Sequence, residues 1–69
     1  MNFRQRIALR RLARDMVVEH RALHPECSDE ECAQHVLEEM KATVNVDGID
    51  WEQVLNIIQT IVKLLAMFF

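Results

Sequence analysis

The last part of the chain has an apolar surface that is wider than the stripe one helix usually buries. At 100° per residue over residues 51–68, the polar side chains share one arc of about 120° and apolar residues fill the remainder. A surface helix of a globular domain needs an apolar stripe of only a little over about 100°. We therefore expect one side of this helix to pack on its own domain and another side to contact a partner. The polar residues are Glu52, Gln53, Asn56, Gln59, Thr60 and Lys63.

The composition predicts that the rest of the domain is helical too. The chain has 69 residues, 51% of them hydrophobic, with one Gly and one Pro, so it offers few helix breakers. A domain of this size buries only about 60% of its unfolded surface and gains stability from a partner. The sequence therefore predicts one all-α domain over residues 1–69, a small three-helix unit that is oligomeric or docked on a larger partner.

Local signals give the ends of the three helices. The first, about residues 2–23, stops before Pro25, because proline disfavours the helical conformation of the residue before it. The second, about residues 29–43, begins after Ser28, which is followed three residues later by glutamate as in a capping box. The third, about residues 51–68, follows an Asp-Gly turn and an aspartate that repeats the capping pattern.

The spacing of apolar residues predicts one buried stripe on each of the first two helices. On the first helix, Val17 and Val18 fall outside that stripe, among the arginines. His20 falls inside the stripe, and we interpret it as a partly buried core histidine. The predicted stripes are Leu9, Leu12, Ala13, Met16 and Leu23 on the first helix, and Cys32, Ala33, Val36, Leu37 and Met40 on the second.

Charge is strongly separated along a chain whose net charge is −3. Residues 1–23 carry six arginines against two acids, a net +4, whereas residues 24–52 carry nine acids against one lysine, a net −8. The arginines share one side of the first helix with apolar residues, a mixture typical of protein interfaces. We expect a partner-binding surface that contains Phe3, Ile7, Arg10, Arg11 and Arg14 from the first helix and Trp51, Ile58, Leu65, Phe68 and Phe69 from the third.

Two other partners stay open for these surfaces. Six arginines on one helix can also lie along the phosphates of a nucleic acid, which makes a nucleic-acid-binding module the alternative function. The apolar run 54–69 would span about 24 Å as a helix, which is short for a bilayer, but it can lie in the plane of a membrane surface. A peripheral membrane protein is therefore a further alternative.

Two cysteines and two histidines lie around the start of the second helix with a spacing that suits a metal. The pattern H-x2-C-x4-C-x2-H supplies the thiolates and imidazoles that zinc accepts in a tetrahedral, structural site. A disulfide between the two cysteines and a pair of packed free thiols are the other interpretations, and the thiols are favoured because the cysteines occupy the N′ and N4 positions. The candidate ligands are His24, Cys27, Cys32 and His35.

No catalytic motif is present, and we expect neither an enzyme nor a small-molecule substrate. Arginines interrupt the apolar positions near the start before a signal-peptide core could form, so we expect a location in the cytoplasm, elsewhere inside the cell or within a virion. Apart from the zinc alternative, no cofactor is expected. The sequence favours a structural role, as a small subunit or cement-like accessory of a larger assembly such as a virus particle.

Overall fold

Three α-helices make up the ordered secondary structure of the computed structural model, which describes residues 2–44 and 47–68. They are α1 (Phe3–Leu23), α2 (Asp29–Thr43) and α3 (Trp51–Phe68), and the described residues contain no strand. The predicted all-α three-helix unit is confirmed, and each predicted helix end agrees with the structure to within one residue.

Side chains cap the starts of α2 and α3 as predicted, but among the described residues neither cap has the return bond from the third helical side chain that would complete a capping box. The backbone N–H of Glu31 donates to Ser28 Oγ at 3.2 Å, and that of Gln53 donates to Asp50 Oδ1 at 3.2 Å. Each bond satisfies one of the N–H groups that a helix start leaves without an intrahelical partner. Just before α3, Gly48 has a φ of 84°, the left-handed conformation that glycine adopts most easily.

The start of α1 has a complete capping box, in addition to the two caps predicted for α2 and α3. The N–H of Gln5 donates to Asn2 Oδ1 at 2.8 Å, and the N–H of Asn2 donates to Gln5 Oε1 at 3.1 Å. The residue pair Asn2 and Gln5, three apart, was the available signal.

All three helices contact one another and enclose a single apolar core. Val17, predicted to lie among the arginines, is instead completely buried, whereas Leu23 of the predicted stripe is exposed. The predicted stripe of α2 is confirmed at all five positions. The core consists of Leu9, Ala13 and Val17 from α1, Cys32, Ala33, Val36, Leu37 and Met40 from α2, and Val54, Ile58 and Val62 from α3.

The helices are arranged so that α3 has a neighbour on each of two sides. Val18 near the end of α1 lines a groove with Leu65 near the end of α3, so these two helices run parallel. Asp29 at the start of α2 lies beside Lys63 of α3, so α2 runs antiparallel to both. Two neighbours cover a wider arc of a helix than one neighbour does. This arrangement explains most of the excess apolar width of α3.

The expectation that Ile58 lies on the partner-binding surface is therefore wrong. Its side chain is 0% exposed within the chain itself, where α1 and α2 both pack on α3. Trp51 and Leu65 are partly buried and pack on the same core. Phe69 lies outside the described residues, as does the side chain of Phe68.

The Ser28 cap predicts a measurable loss of stability when its side-chain oxygen is removed. Ser28→Ala should lower the free energy of unfolding by about 1 kcal/mol, measured by urea denaturation followed by circular dichroism. Ser28→Asp keeps an acceptor at the same place and should stay close to the wild type. An equal loss in both variants would show that the hydrogen bond to Glu31 N–H is not the cause.

Candidate functional site

The arginines of α1 divide into one that stabilises the fold and five that face solvent. Arg21 pairs with the Asp29 carboxylate, and its Nη1 donates to the Cys27 carbonyl at 3.2 Å, so it ties the end of α1 to the start of α2. Within residues 2–44 and 47–68, no other arginine has a carboxylate within 4.0 Å. The five exposed arginines are Arg4, Arg6, Arg10, Arg11 and Arg14.

Large apolar side chains stand between these arginines and are exposed as well. Phe3 is 75% exposed, Ile7 37% and Val18 42%. At 100° per residue, they share an arc of about 100° with three of the arginines. We call this surface the arginine–apolar face and define it as Phe3, Ile7, Arg10, Arg11, Arg14 and Val18.

The arginine–apolar face borders α3 and continues into a groove between the two parallel helices. The groove has a volume of about 520 Å³ and is lined by Val18, Arg21, Ala22, Pro25, Leu65 and Ala66. Both helices of this seam contribute an apolar side chain to the groove, Val18 from α1 and the partly buried Leu65 from α3. Elsewhere on α3, Leu64 is 52% exposed.

The structure separates the predicted partner-binding residues into two groups. Those on α1 are all exposed and lie together on the arginine–apolar face. On α3, Ile58 is completely buried and cannot contact a partner. Trp51 interacts within the chain, because Lys41 Nζ lies 6.0 Å from the centroid of its ring. Leu65 retains partial exposure in the groove, whereas the exposure of Leu64 was not predicted.

Three histidines meet at the contact between α1 and α2. The ring centroid of His20 lies 4.6 Å from that of His35 and 5.0 Å from that of His24. His20, predicted to be a partly buried core histidine, does face the core and is only 8% exposed, and its Nε2 has no hydrogen-bond partner among the described residues. The two outer histidines face carboxylates: His35 Nε2 lies 3.1 Å from Glu39 Oε1, and His24 Nδ1 lies 3.5 Å from Glu26 Oε1.

This environment disfavours a proton on His20. Burial, followed by the charges that His35 and His24 can carry, lowers the pKa of His20 below its ordinary value, and Arg21 acts in the same direction. Glu39 opposes these effects without cancelling them. The α1–α2 contact therefore favours the neutral form of the His20 imidazole over the charged form.

The predicted zinc ligands do not form a metal site. Within the described residues, no group of three or more His, Cys, Asp or Glu side chains has an arrangement that could hold a metal ion. Cys32 is completely buried, whereas His35, one turn later, faces outward toward Glu39. Cys27 and Cys32 are both free thiols, and burial raises the pKa of Cys32. The structure therefore does not bring His24, Cys27, Cys32 and His35 together as a set of metal ligands.

The fold defines a small all-α protein, a three-helix unit with one core and a mixed basic and apolar face. Comparison of the chain with protein-family models, curated proteins and solved structures found no match. Among the described residues, no helix has the length and apolar character needed to cross a membrane.

Proposed function

We propose that the chain is a non-enzymatic assembly protein, a small helical subunit or accessory that binds a protein partner through the arginine–apolar face. The observation that carries this proposal is the exposure of Phe3, Ile7 and Val18 between arginines that have no carboxylate partner within the described part of the chain. Arginine and aromatic side chains are enriched at protein interfaces and contribute strongly to binding.

The same face favours a protein over a nucleic acid. Phosphates would engage the arginines but would leave Phe3, Ile7 and Val18 without apolar partners. The face also lacks the several interleaved aromatic rings on which single-stranded bases stack, since Phe3 is its one aromatic side chain. A protein surface can satisfy the guanidinium groups and the apolar side chains together.

The proposal can be tested by site-specific photocrosslinking of the chain in its native cells. A photoreactive residue in place of Ile7 should give an adduct of one discrete mass, because this position lies on the arginine–apolar face. The same residue in place of Gln34, which is exposed on α2, serves as the matched control and should give no adduct. Charge reversal by Arg10→Glu and Arg14→Glu should abolish the adduct formed from position 7.

Two results would contradict the proposal. Equal adducts from positions 7 and 34 would indicate nonspecific contact. A folded protein that gives no adduct from position 7 would show that the arginine–apolar face does not bind a protein in those cells. An adduct that consists of nucleic acid would favour the nucleic-acid-binding function instead.

A further inference from the structure

We propose that the arginine–apolar face binds an amphipathic helix that carries carboxylates, and that a different protein supplies this helix rather than a second copy of this chain. This inference rests on the proposed function and specifies the chemistry of the partner. Three observations carry it: the charge of the face, its shape, and the burial of the large apolar side chains of the acidic helix α2.

Charge argues against a symmetric dimer through this face. In an isologous dimer the same patch lies on both sides of the interface, so Arg10, Arg11 and Arg14 would face the arginines of the second copy. Like charges brought together at an interface cost several kcal/mol. Within the described residues no carboxylate lies within 4.0 Å of these arginines, so no ion pair within the chain would offset the repulsion.

The acidic surface of a second copy does not fit either. The exposed residues of α2 supply carboxylates, but its large apolar side chains are buried in the core. A second copy that docked through α2 would pair charges with the arginines and leave Phe3, Ile7 and Val18 exposed. A suitable partner must offer carboxylates and apolar side chains on one surface.

The shape of the face indicates a helix as that surface. Phe3, Ile7, Arg14 and Val18 follow one another at helical spacing along α1, and the row from residue 3 to residue 18 is about 22 Å long. At its far end the row enters the groove beside Leu65. A helix of about four turns laid along the α1–α3 seam would cover this length, as amphipathic helices do in apolar grooves.

The order of residues along the row also defines the pattern of the partner. Apolar residues lie near both ends of the row, and arginines lie in the middle, at positions 10, 11 and 14. A complementary helix therefore has apolar side chains in its first and last turns and glutamates in the middle two turns. This pattern can be built into a synthetic probe.

The test measures the binding of such a probe to the purified full chain. A labelled peptide of about 16 residues, with leucines in its terminal turns and glutamates in its central turns, is titrated with the protein and followed by fluorescence anisotropy. We expect saturable binding that weakens as salt increases. The double variant Arg10→Glu and Arg14→Glu should weaken binding about tenfold or more. The double variant Lys41→Glu and Lys63→Glu changes the net charge equally, away from the face, and should retain the affinity.

Several outcomes would overturn the inference. These are the absence of peptide binding, equal binding of a peptide with lysines in place of the glutamates, and a doubling of the solution mass that Ile7→Glu reverses. Equal salt-sensitive binding of duplex DNA or of vesicles containing anionic lipid would assign the face to another class of anionic partner. If the peptide fails while the crosslink from position 7 persists, the proposed function stands and the helix inference fails. If neither peptide binding nor the crosslink from position 7 is observed, the proposed function fails as well.

Discussion

Replacement of Ile58 by alanine should lower the free energy of unfolding by about 2–5 kcal/mol, because it removes buried methyl groups and leaves a cavity. Ile58 is completely buried at the centre of α3, where α1 and α2 both contact that helix. A core of this size rarely supplies more than about 3–5 kcal/mol in total. We therefore expect Ile58→Ala to be largely unfolded at physiological temperature, as measured by circular dichroism in a urea titration.

Leu64→Ala is the matched control, because it shortens an apolar side chain on the same helix at a position that is 52% exposed. Its effect on the free energy of unfolding should be within about 0.5 kcal/mol. Similar losses in the two variants would contradict the assignment of Ile58 to the core and of Leu64 to the surface.

The second large effect concerns His20 and acid. The pKa of His20 is lowered in the folded chain, mainly by burial, so between that pKa and the ordinary value near 6.5 the unfolded chain binds more protons than the folded chain. Stability therefore rises with pH in this window. The stability that comes from the lowered pKa of His20 is complete above the pKa that His20 has in the unfolded chain. It is lost as the pH falls toward the pKa that His20 has in the folded chain. We expect a falling urea midpoint as the solution is acidified from about pH 7 to about pH 5.

His20→Leu should flatten this part of the pH dependence, because it removes the titrating ring. It should also raise the free energy of unfolding near neutral pH by about 1 kcal/mol, since His20 Nε2 no longer lies buried without a hydrogen-bond partner. His24→Gln is the comparison, because it keeps the buried imidazole and removes only the smaller effect of the His24 charge on the pKa of His20, so most of the pH dependence should remain. A wild-type chain whose stability does not change over this range would refute the argument.

The sequence predicted the helix ends and the core stripe of α2 well, because both depend on local chemistry. Ser28, Asp50 and Pro25 act on their immediate neighbours, and the apolar residues of α2 repeat at three and four positions. Each of these signals acts within one helix or at its ends. The structure that it predicts therefore does not depend on how the three helices pack together.

The errors arose where the outcome depended on a second helix. The pattern of α3 gives the centre of its apolar surface but not the number of neighbours that share it, so Ile58 was assigned to a partner although its own chain buries it. The pattern of α1 places Val17 among the arginines, because the full width of the side that its neighbours bury cannot be read from α1 alone. The contact between His20 and His35 joins two helices and has no signature in the spacing of either helix.

The separation of exposed arginines on α1 from exposed acids on α2 makes the folded molecule an electric dipole despite its net charge of −3. At distances well beyond the Debye length, salt screens the electrostatic field of the molecule. At shorter distances an acidic partner is attracted by the arginines of α1 and repelled by the acids of α2. If the partner is acidic, as proposed, the field would turn the molecule during an encounter so that α1 makes the first contact. Charge asymmetry in this small bundle would act on the orientation and rate of association before any apolar contact forms.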